Sequence, residues 1–400
     1  MRPGHGLILI CISLLSIGVV MVTSAGLTVS GSEQITLQSV LLGKTALLAM
    51  ASMVALFVGS YFPVDALYAS RTARSFIPWL LLVMAGLLLA VHVPHIGREV
   101  NGAKRWLEIG PVGFQPSEIA KWGMIIVLAW YLARNASVMQ SLLKGFVPPM
   151  ILVLFICMLI ASEDLGTATL ICLVSVGMLV AGGSKLWHAL LLMPIGVAGF
   201  VGAVIVSPYR IDRLKAFLDP YADPQGIGYH VLQSMGAISS GGLAGRGLGN
   251  SIHKFGYLPE DTTDFIFAII CEELGIVGAV LVVALYAAFI ICGLAIIRRT
   301  TQPFHRLLAI GVILTIGLQA LINIAVVTGS APTKGIALPL LSSGGTGWLV
   351  TAFCIGLLVS IDRKSEHRIM RAAQDSQCDE GRIDTPNLAS NASIMLDAGI

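Results

Sequence analysis

The chain has 400 residues, 56% hydrophobic and 12% charged, with a formal net charge of +3. Soluble domains carry about 25% charged residues, so an ordinary soluble enzyme is excluded and an integral membrane protein is indicated. The net charge says little about partners, and no nucleic-acid partner is expected. Six of the seven cysteines (Cys11, Cys157, Cys172, Cys271, Cys292 and Cys354) lie in apolar runs and Cys378 in a polar tail. None forms a CxxC pair, so neither a disulfide framework nor a zinc site is expected.

Apolar runs fall near 6–26, 45–62, 77–95, 118–136, 147–162, 166–183, 186–207, 265–297, 307–330 and 346–361. At 1.5 Å per residue, spans of about 16 to 22 residues are expected to cross the hydrocarbon core of about 30 Å as helices. The expected fold is an all-α polytopic membrane protein with ten transmembrane helices. Residues 1–364 form the membrane domain, with a large extracytoplasmic loop at about 208–263 between helices 7 and 8. The first run is too long, and lacks the cleavage site, for a removed signal peptide. An even number of spans puts both termini on one side. Arg2, Arg71, Arg74, Arg134, Lys144, Lys185, Arg298, Arg299, Arg306, Arg363 and Lys364 share that side, which the positive-inside rule makes cytoplasmic. Residues 365–400 are polar and aperiodic, and read as a disordered cytoplasmic tail.

The opposite face carries three polar stretches. In the first, Asn101-Gly-Ala-Lys-Arg-Trp106 precedes Gln115-Pro-Ser-Glu118, and Glu118 and Lys121 sit at i, i+3 on the fourth helix. Lys104, Arg105 and Lys121 are candidate ligands for an anionic headgroup; interfacial anchoring is the plainer reading of Arg105 and Trp106. In the second, Tyr209 to Pro220 reads as an amphipathic interfacial helix bearing Arg210. The glycine-rich run 236–249 with Arg246 then reads as a cradle for a diphosphate. Asp264 is expected in the first turn of helix 8, after Asp261 and Thr262, either as a general base or as a cap. Helix 8 is too long for the core, so it must tilt or project, and Glu273 is expected to be salt-bridged or to line a wet cleft. In the third stretch, Ala331 to Thr346 is too apolar for a loop and too broken for a helix. It is expected to line a cavity, with Lys334 facing the substrate.

Together these motifs resemble the SEDS family of shape, elongation, division and sporulation proteins, which includes RodA, SpoVE and FtsW. The matching residues are Asn101-Gly-Ala-Lys-Arg-Trp106, Gln115-Pro-Ser-Glu118 with Lys121, Asp164-Leu-Gly-Thr167, Phe217-Leu-Asp-Pro220, Gly247-Leu-Gly249, Tyr257-Leu-Pro-Glu260, Thr263-Asp-Phe-Ile-Phe267 and Glu272-Glu-Leu-Gly275. They run in order over about residues 5–362. Pro332-Thr-Lys-Gly335 is closer to the division member, FtsW, than to the elongation member. The resemblance implies a peptidoglycan glycosyltransferase that polymerises lipid II at the outer leaflet of the bacterial cytoplasmic membrane, in septal synthesis. Its partners would be a class B penicillin-binding protein, other division or elongation machinery proteins and membrane lipid. It also implies that the catalytic aspartate falls on Asp264, that the sensitive helix-four residues fall on Glu118 and Lys121, and that a divalent cation (Mg or Mn) at an unknown site assists. The chain departs from the family pattern at Thr262, where a His is usual, at Ser162-Glu163 and at Ser343-Gly-Gly-Thr-Gly347. A lipid II flippase and a non-catalytic scaffold for the transpeptidase are the alternative readings.

Overall fold

Each of the ten apolar runs forms a helix at its expected place. The computed structural model describes residues 2–26, 43–68, 76–93, 97–100, 103–109, 112–254, 258, 262–343 and 345–383. The long helices are α1 (Pro3–Ala25), α2 (Lys44–Tyr61), α3 (Phe76–Ala90), α4 (Pro116–Arg134), α5 (Val147–Ala161), α6 (Leu165–Ala181) and α7 (Leu186–Ile205). After two short helices, α8 (Pro208–Leu218) and α9 (Tyr229–Gly241), come α10 (Ile266–Arg299), α11 (Pro303–Val327) and α12 (Thr346–Ile383). Among the described residues, seven helices are long and apolar enough to cross a membrane. The other three differ for visible reasons: α3 and α6 are only 15 and 17 residues long, and α4 carries Glu118, Lys121 and Arg134.

Two glycines let backbones meet without a side chain between them. A Cβ on Gly59 of α2 would stand 2.3 Å from the Phe353 carbonyl of α12, and one on Gly356 would stand 2.3 Å from the Leu56 carbonyl. Between membrane helices, contact of this closeness replaces the hydrophobic drive that lipid removes.

One end of the bundle gathers both ends of the membrane domain. Gly4 donates its N–H to Asp362 at 3.0 Å, and Arg2 pairs with Glu366 at 2.9 Å. Asp65 joins Lys364 at 2.8 Å at the same end, while Arg134 donates to the Tyr68 carbonyl. Arg2, Arg134 and Lys364 are among the cations that the charge asymmetry assigns to one face.

Four features refine the expectations. A three-stranded antiparallel sheet, β1 (Gly97–Val100), β2 (Ala103–Ile109) and β3 (Val112–Phe114), forms at the opposite end, where an all-α fold would have only loop. Inside the large loop, α8 ends at Leu218, just before Pro220, as expected. The second helix, α9, was hidden by its glycines and serines, and buries Val231, Ser234, Ala237 and Gly241 on one stripe. The long α10 is not one continuous rod: it breaks at Gly275 (φ 65°, ψ −158°). Finally, α12 runs through Ile383, so the stretch 365–383 of the expected tail is helical, anchored by Glu366 on Arg2 and by Ser365 near Thr300. Residues 384–400 lie outside the described residues.

Candidate active site

The non-helical stretch between α11 and α12 organises the site. It is held by side chains rather than by secondary structure, as buried irregular backbone requires. The Ser342 hydroxyl accepts from the Leu338 N–H at 2.7 Å, while the indole of Trp348 and the hydroxyl of Tyr286 donate to the carbonyls of Ser342 and Pro339. Leu340 takes a left-handed conformation (φ 64°) while 2% exposed, a cost of about 1–3 kcal/mol that the surrounding packing sustains. The Ser343 N–H donates to the Thr262 carbonyl at 2.8 Å, which fastens the stretch to the residues before α10.

Asp264 lies in that fastened turn. Helix α10 begins at Ile266 with Phe265 as its N-cap, so Asp264 precedes the helix rather than sitting in its first turn. Its backbone carbonyl accepts from Asn323 Nδ2 at 2.8 Å. Its carboxylate faces Gly335: a Cβ there would stand 3.4 Å from Asp264 Oδ2 and 3.3 Å from Arg105 Nη1. Lys334 is the preceding residue in the chain, with its ammonium 4.9 Å from the centroid of the Phe200 ring. Burial pulls the Lys334 pKa below the usual lysine value, and the Asp164 carboxylate opposes that shift.

Arg105 reaches Gly335 from β2. Its Nε donates to the Glu163 carbonyl at 2.7 Å. Arg210 donates to the Ala161 and Ser162 carbonyls at 2.6 and 3.0 Å, and to Ala203 at 2.8 Å. The two guanidiniums thus cap the carbonyl end of α5, where helices leave unpaired acceptors and negative partial charge. Arg210 is spent on this capping. Lys104 lies on β2 opposite Glu99; its side chain is outside the described residues.

Glu118 and Lys121 form an ion pair of 2.8 Å, with Lys121 buried at 3% exposed and Glu118 half-buried. Lys121 also donates to Gln319 Oε1 at 2.9 Å, and Gln319 Nε2 donates to the Ala337 carbonyl at 2.8 Å. The pair therefore supports the 331–345 stretch from beneath.

The glycine-rich run does not form an open cradle. The N–H groups of Arg246 and Gly247 donate to the Glu272 and Glu273 carbonyls at 3.0 and 2.9 Å, and Ile276 donates to the Gly242 carbonyl at 3.1 Å. The run is docked into the break of α10, and its amides replace the helix bonds lost at Gly275. Arg246 is engaged there, 3.8 Å from Glu272. Glu272 and Glu273 are both 0% exposed and fully partnered: Glu272 accepts from Ile252, His253 and Ser251, and Glu273 meets Lys254 at 3.2 Å and Ser24 at 2.8 Å. Glu273 is thus a buried salt bridge to a neighbouring segment, one of the two roles expected for it.

No group of three or more His, Cys, Asp or Glu side chains among the described residues is arranged to hold a metal. The Arg105 guanidinium converges with the Asp264 carboxylate on Gly335, and a cation at that place suits an anion rather than a resident divalent cation. Glu260 and Asp261 lie outside the described residues. Sequence reasoning missed Gln319 and Asn323, although two amide side chains at i, i+4 in the apolar helix α11 were a visible signal.

A family model described as Cell cycle protein, FtsW/RodA/SpoVE, matches residues 5–367. A probable peptidoglycan glycosyltransferase FtsW of Nitrosococcus halophilus is 43% identical over 71% of this chain and 74% of its own length. Stage V sporulation protein E of Bacillus subtilis is 36% identical over 91% and 98%. Among solved structures, a chain of a peptidoglycan synthase complex that couples polymerization and crosslinking superposes with a TM-score of 0.68 at 26% identity, covering 90% of this chain and 98% of that one. Thermus thermophilus RodA shares the fold with a TM-score of 0.57 at 24% identity, over 90% and 96%.

Proposed function

The chain belongs to the FtsW/RodA/SpoVE family of polytopic membrane proteins, and we propose that it is a peptidoglycan glycosyltransferase polymerising lipid II at the outer leaflet of the bacterial cytoplasmic membrane. The observation that carries this reading is the meeting of the Asp264 carboxylate and the Arg105 guanidinium across Gly335, beside Lys334. A carboxylate beside a guanidinium, on irregular backbone that also carries Lys334, suits a base adjoining a diphosphate leaving group.

In the proposed step, Asp264 Oδ2 takes the proton of the acceptor sugar's 4-hydroxyl. That oxygen forms a bond to the anomeric carbon of the donor strand, and the bond from that carbon to the lipid diphosphate breaks with its electron pair leaving on phosphate. Arg105 and Lys334 stabilise the charge that develops there. Glu118 and Lys121 hold the wall of the cleft, while Arg210 and Arg246 fix the loops around it. With Thr262 in the position of the family's His, the step needs no relay through that side chain. Both termini face the cytoplasm, and a class B penicillin-binding protein crosslinks the product during septal synthesis.

The test uses the purified full chain with labelled lipid II, with and without such a transpeptidase, and compares wild type with Asp264→Ala. Polymer from wild type and none from the variant is the expected result. Equal polymer from both removes Asp264 as the base, and no polymer from wild type under either condition overturns the enzyme reading.

A further inference from the structure

We infer that Asn323 is the positioning residue of this site, fixing the base and the wall that faces it to one rigid point on α11. This rests on the reading of Asp264 as the base. The side chain is 2% exposed, and its Nδ2 donates at 2.8 Å to the Asp264 carbonyl and at 2.8 Å to the Ile336 carbonyl. One amide nitrogen has two N–H groups, so both are spent on these two bonds. One bond holds the residue that carries the carboxylate. The other holds the residue that follows Gly335, where Arg105 and Asp264 converge. Asn323 therefore sets the separation between the two sides of the cleft.

The orientation of the amide is not arbitrary. A flipped amide would aim Oδ1 at two carbonyl oxygens, so the hydrogen-bond network selects the observed rotamer. The cost of that choice falls on Oδ1, which is buried and has no hydrogen-bond partner among the described residues. A side chain chosen only for packing would carry no such orphaned acceptor. Gln319, one turn earlier on α11, repeats the device for the next carbonyl, Ala337, and ties it to Lys121. The two amides form a short ladder that holds successive carbonyls of the 331–345 stretch against a straight helix.

The experiment measures lipid II polymerisation by the purified full chain with its transpeptidase, for wild type, Asn323→Leu, Asn323→Gln and Asp264→Ala. A displacement of about 1 Å in a reacting group costs on the order of 100-fold, so Asn323→Leu is expected to lower kcat by roughly that factor while KM for lipid II stays within about threefold. The melting temperature should hold, and Asn323→Gln should recover part of kcat. Wild-type kcat in folded Asn323→Leu overturns the inference. So does a loss that lies in KM, or one explained by a smaller folded fraction. If Asn323→Leu does not fold, Asn323→Ser, which leaves space for water in place of the amide, carries the same comparison. An active Asp264→Ala sinks the assignment of the base, whereas an inactive Asp264→Ala beside a fully active Asn323→Leu sinks the positioning role alone.

Discussion

The Arg105 guanidinium and the Asp264 carboxylate converge on Gly335, each within 3.4 Å of the place where a side chain would begin. The gap between them exists because residue 335 has no Cβ. Its φ is not one that demands glycine, so the requirement is for space rather than for backbone freedom. Gly335→Ala should lower kcat/KM about tenfold, and Gly335→Val by 100-fold or more, since small displacements of reacting groups carry costs of this order. The melting temperature of both should stay near wild type. Polymerisation of labelled lipid II, with thermal unfolding alongside, checks this; full activity in Gly335→Val would mean that the gap is not used.

Lys334 supplies a pH dependence with a definite sign. Burial lowers its pKa, with Asp164 opposing, so the cation is present on the acid side and is lost on the alkaline side sooner than for a free lysine. The folded state thereby prefers the neutral amine, and this group favours folding more as pH rises through the lowered value. Activity that needs the cation should therefore fall along an alkaline limb. Lys334→Arg should move that limb upward, because a guanidinium stays charged. Lys334→Met should lose about 10- to 100-fold at every pH. A limb that is unchanged in Lys334→Arg would assign it to another group.

Much of this site was legible in the sequence for a physical reason. Charged residues at the rim of an apolar bundle are costly, so Asp264, Arg105 and Lys334 stand out in the sequence; Arg105 and Asp264 converge on Gly335, while the Lys334 ammonium lies by the Phe200 ring. The glycine-rich run misled because glycines signal close approach without saying to what. Here the approached group is the break in α10 at Gly275, more than 25 residues further on. Gln319 and Asn323 were overlooked because neutral amides disturb the apolar pattern of α11 little, and their partners are main-chain carbonyls that carry no sequence signature. The sheet at 97–114 was missed because its strands are short and their register is visible only once they pair.

Lys121 is buried and Glu118 half-buried in their ion pair, so its loss should appear in stability before it appears in substrate affinity. Lys121→Met leaves the Glu118 carboxylate and Gln319 Oε1 without their donor. Breaking one side of a buried pair costs about 3–5 kcal/mol, whereas removing both partners costs much less. Thermal unfolding in detergent should show Lys121→Met as strongly destabilised, and Glu118→Gln/Lys121→Met as largely recovered. Activity should fall in both, because each loosens the support of Ala337. An unchanged melting temperature in Lys121→Met, with a raised KM, would instead make Lys121 a direct ligand of substrate.

Gly245 and Gly249 separate docking of the loop from its conformational freedom. Both have positive φ, 78° and 82°. A Cβ on Gly249 meets nothing within 4 Å, while one on Gly245 would stand 2.2 Å from the Glu273 carbonyl. Gly249→Ala should cost only the left-handed conformation, about 1–2 kcal/mol. Gly245→Ala adds a clash with backbone that cannot yield while the Arg246 and Gly247 N–H groups remain bonded to α10. The run should then detach, uncovering Glu272, Glu273 and Lys254, which are buried while it is docked. Limited proteolysis should cut within 242–254 in Gly245→Ala and leave Gly249→Ala as resistant as wild type. Equal resistance in the two would mean that the glycines serve the turn itself, and that docking on the broken helix does not depend on the missing Cβ.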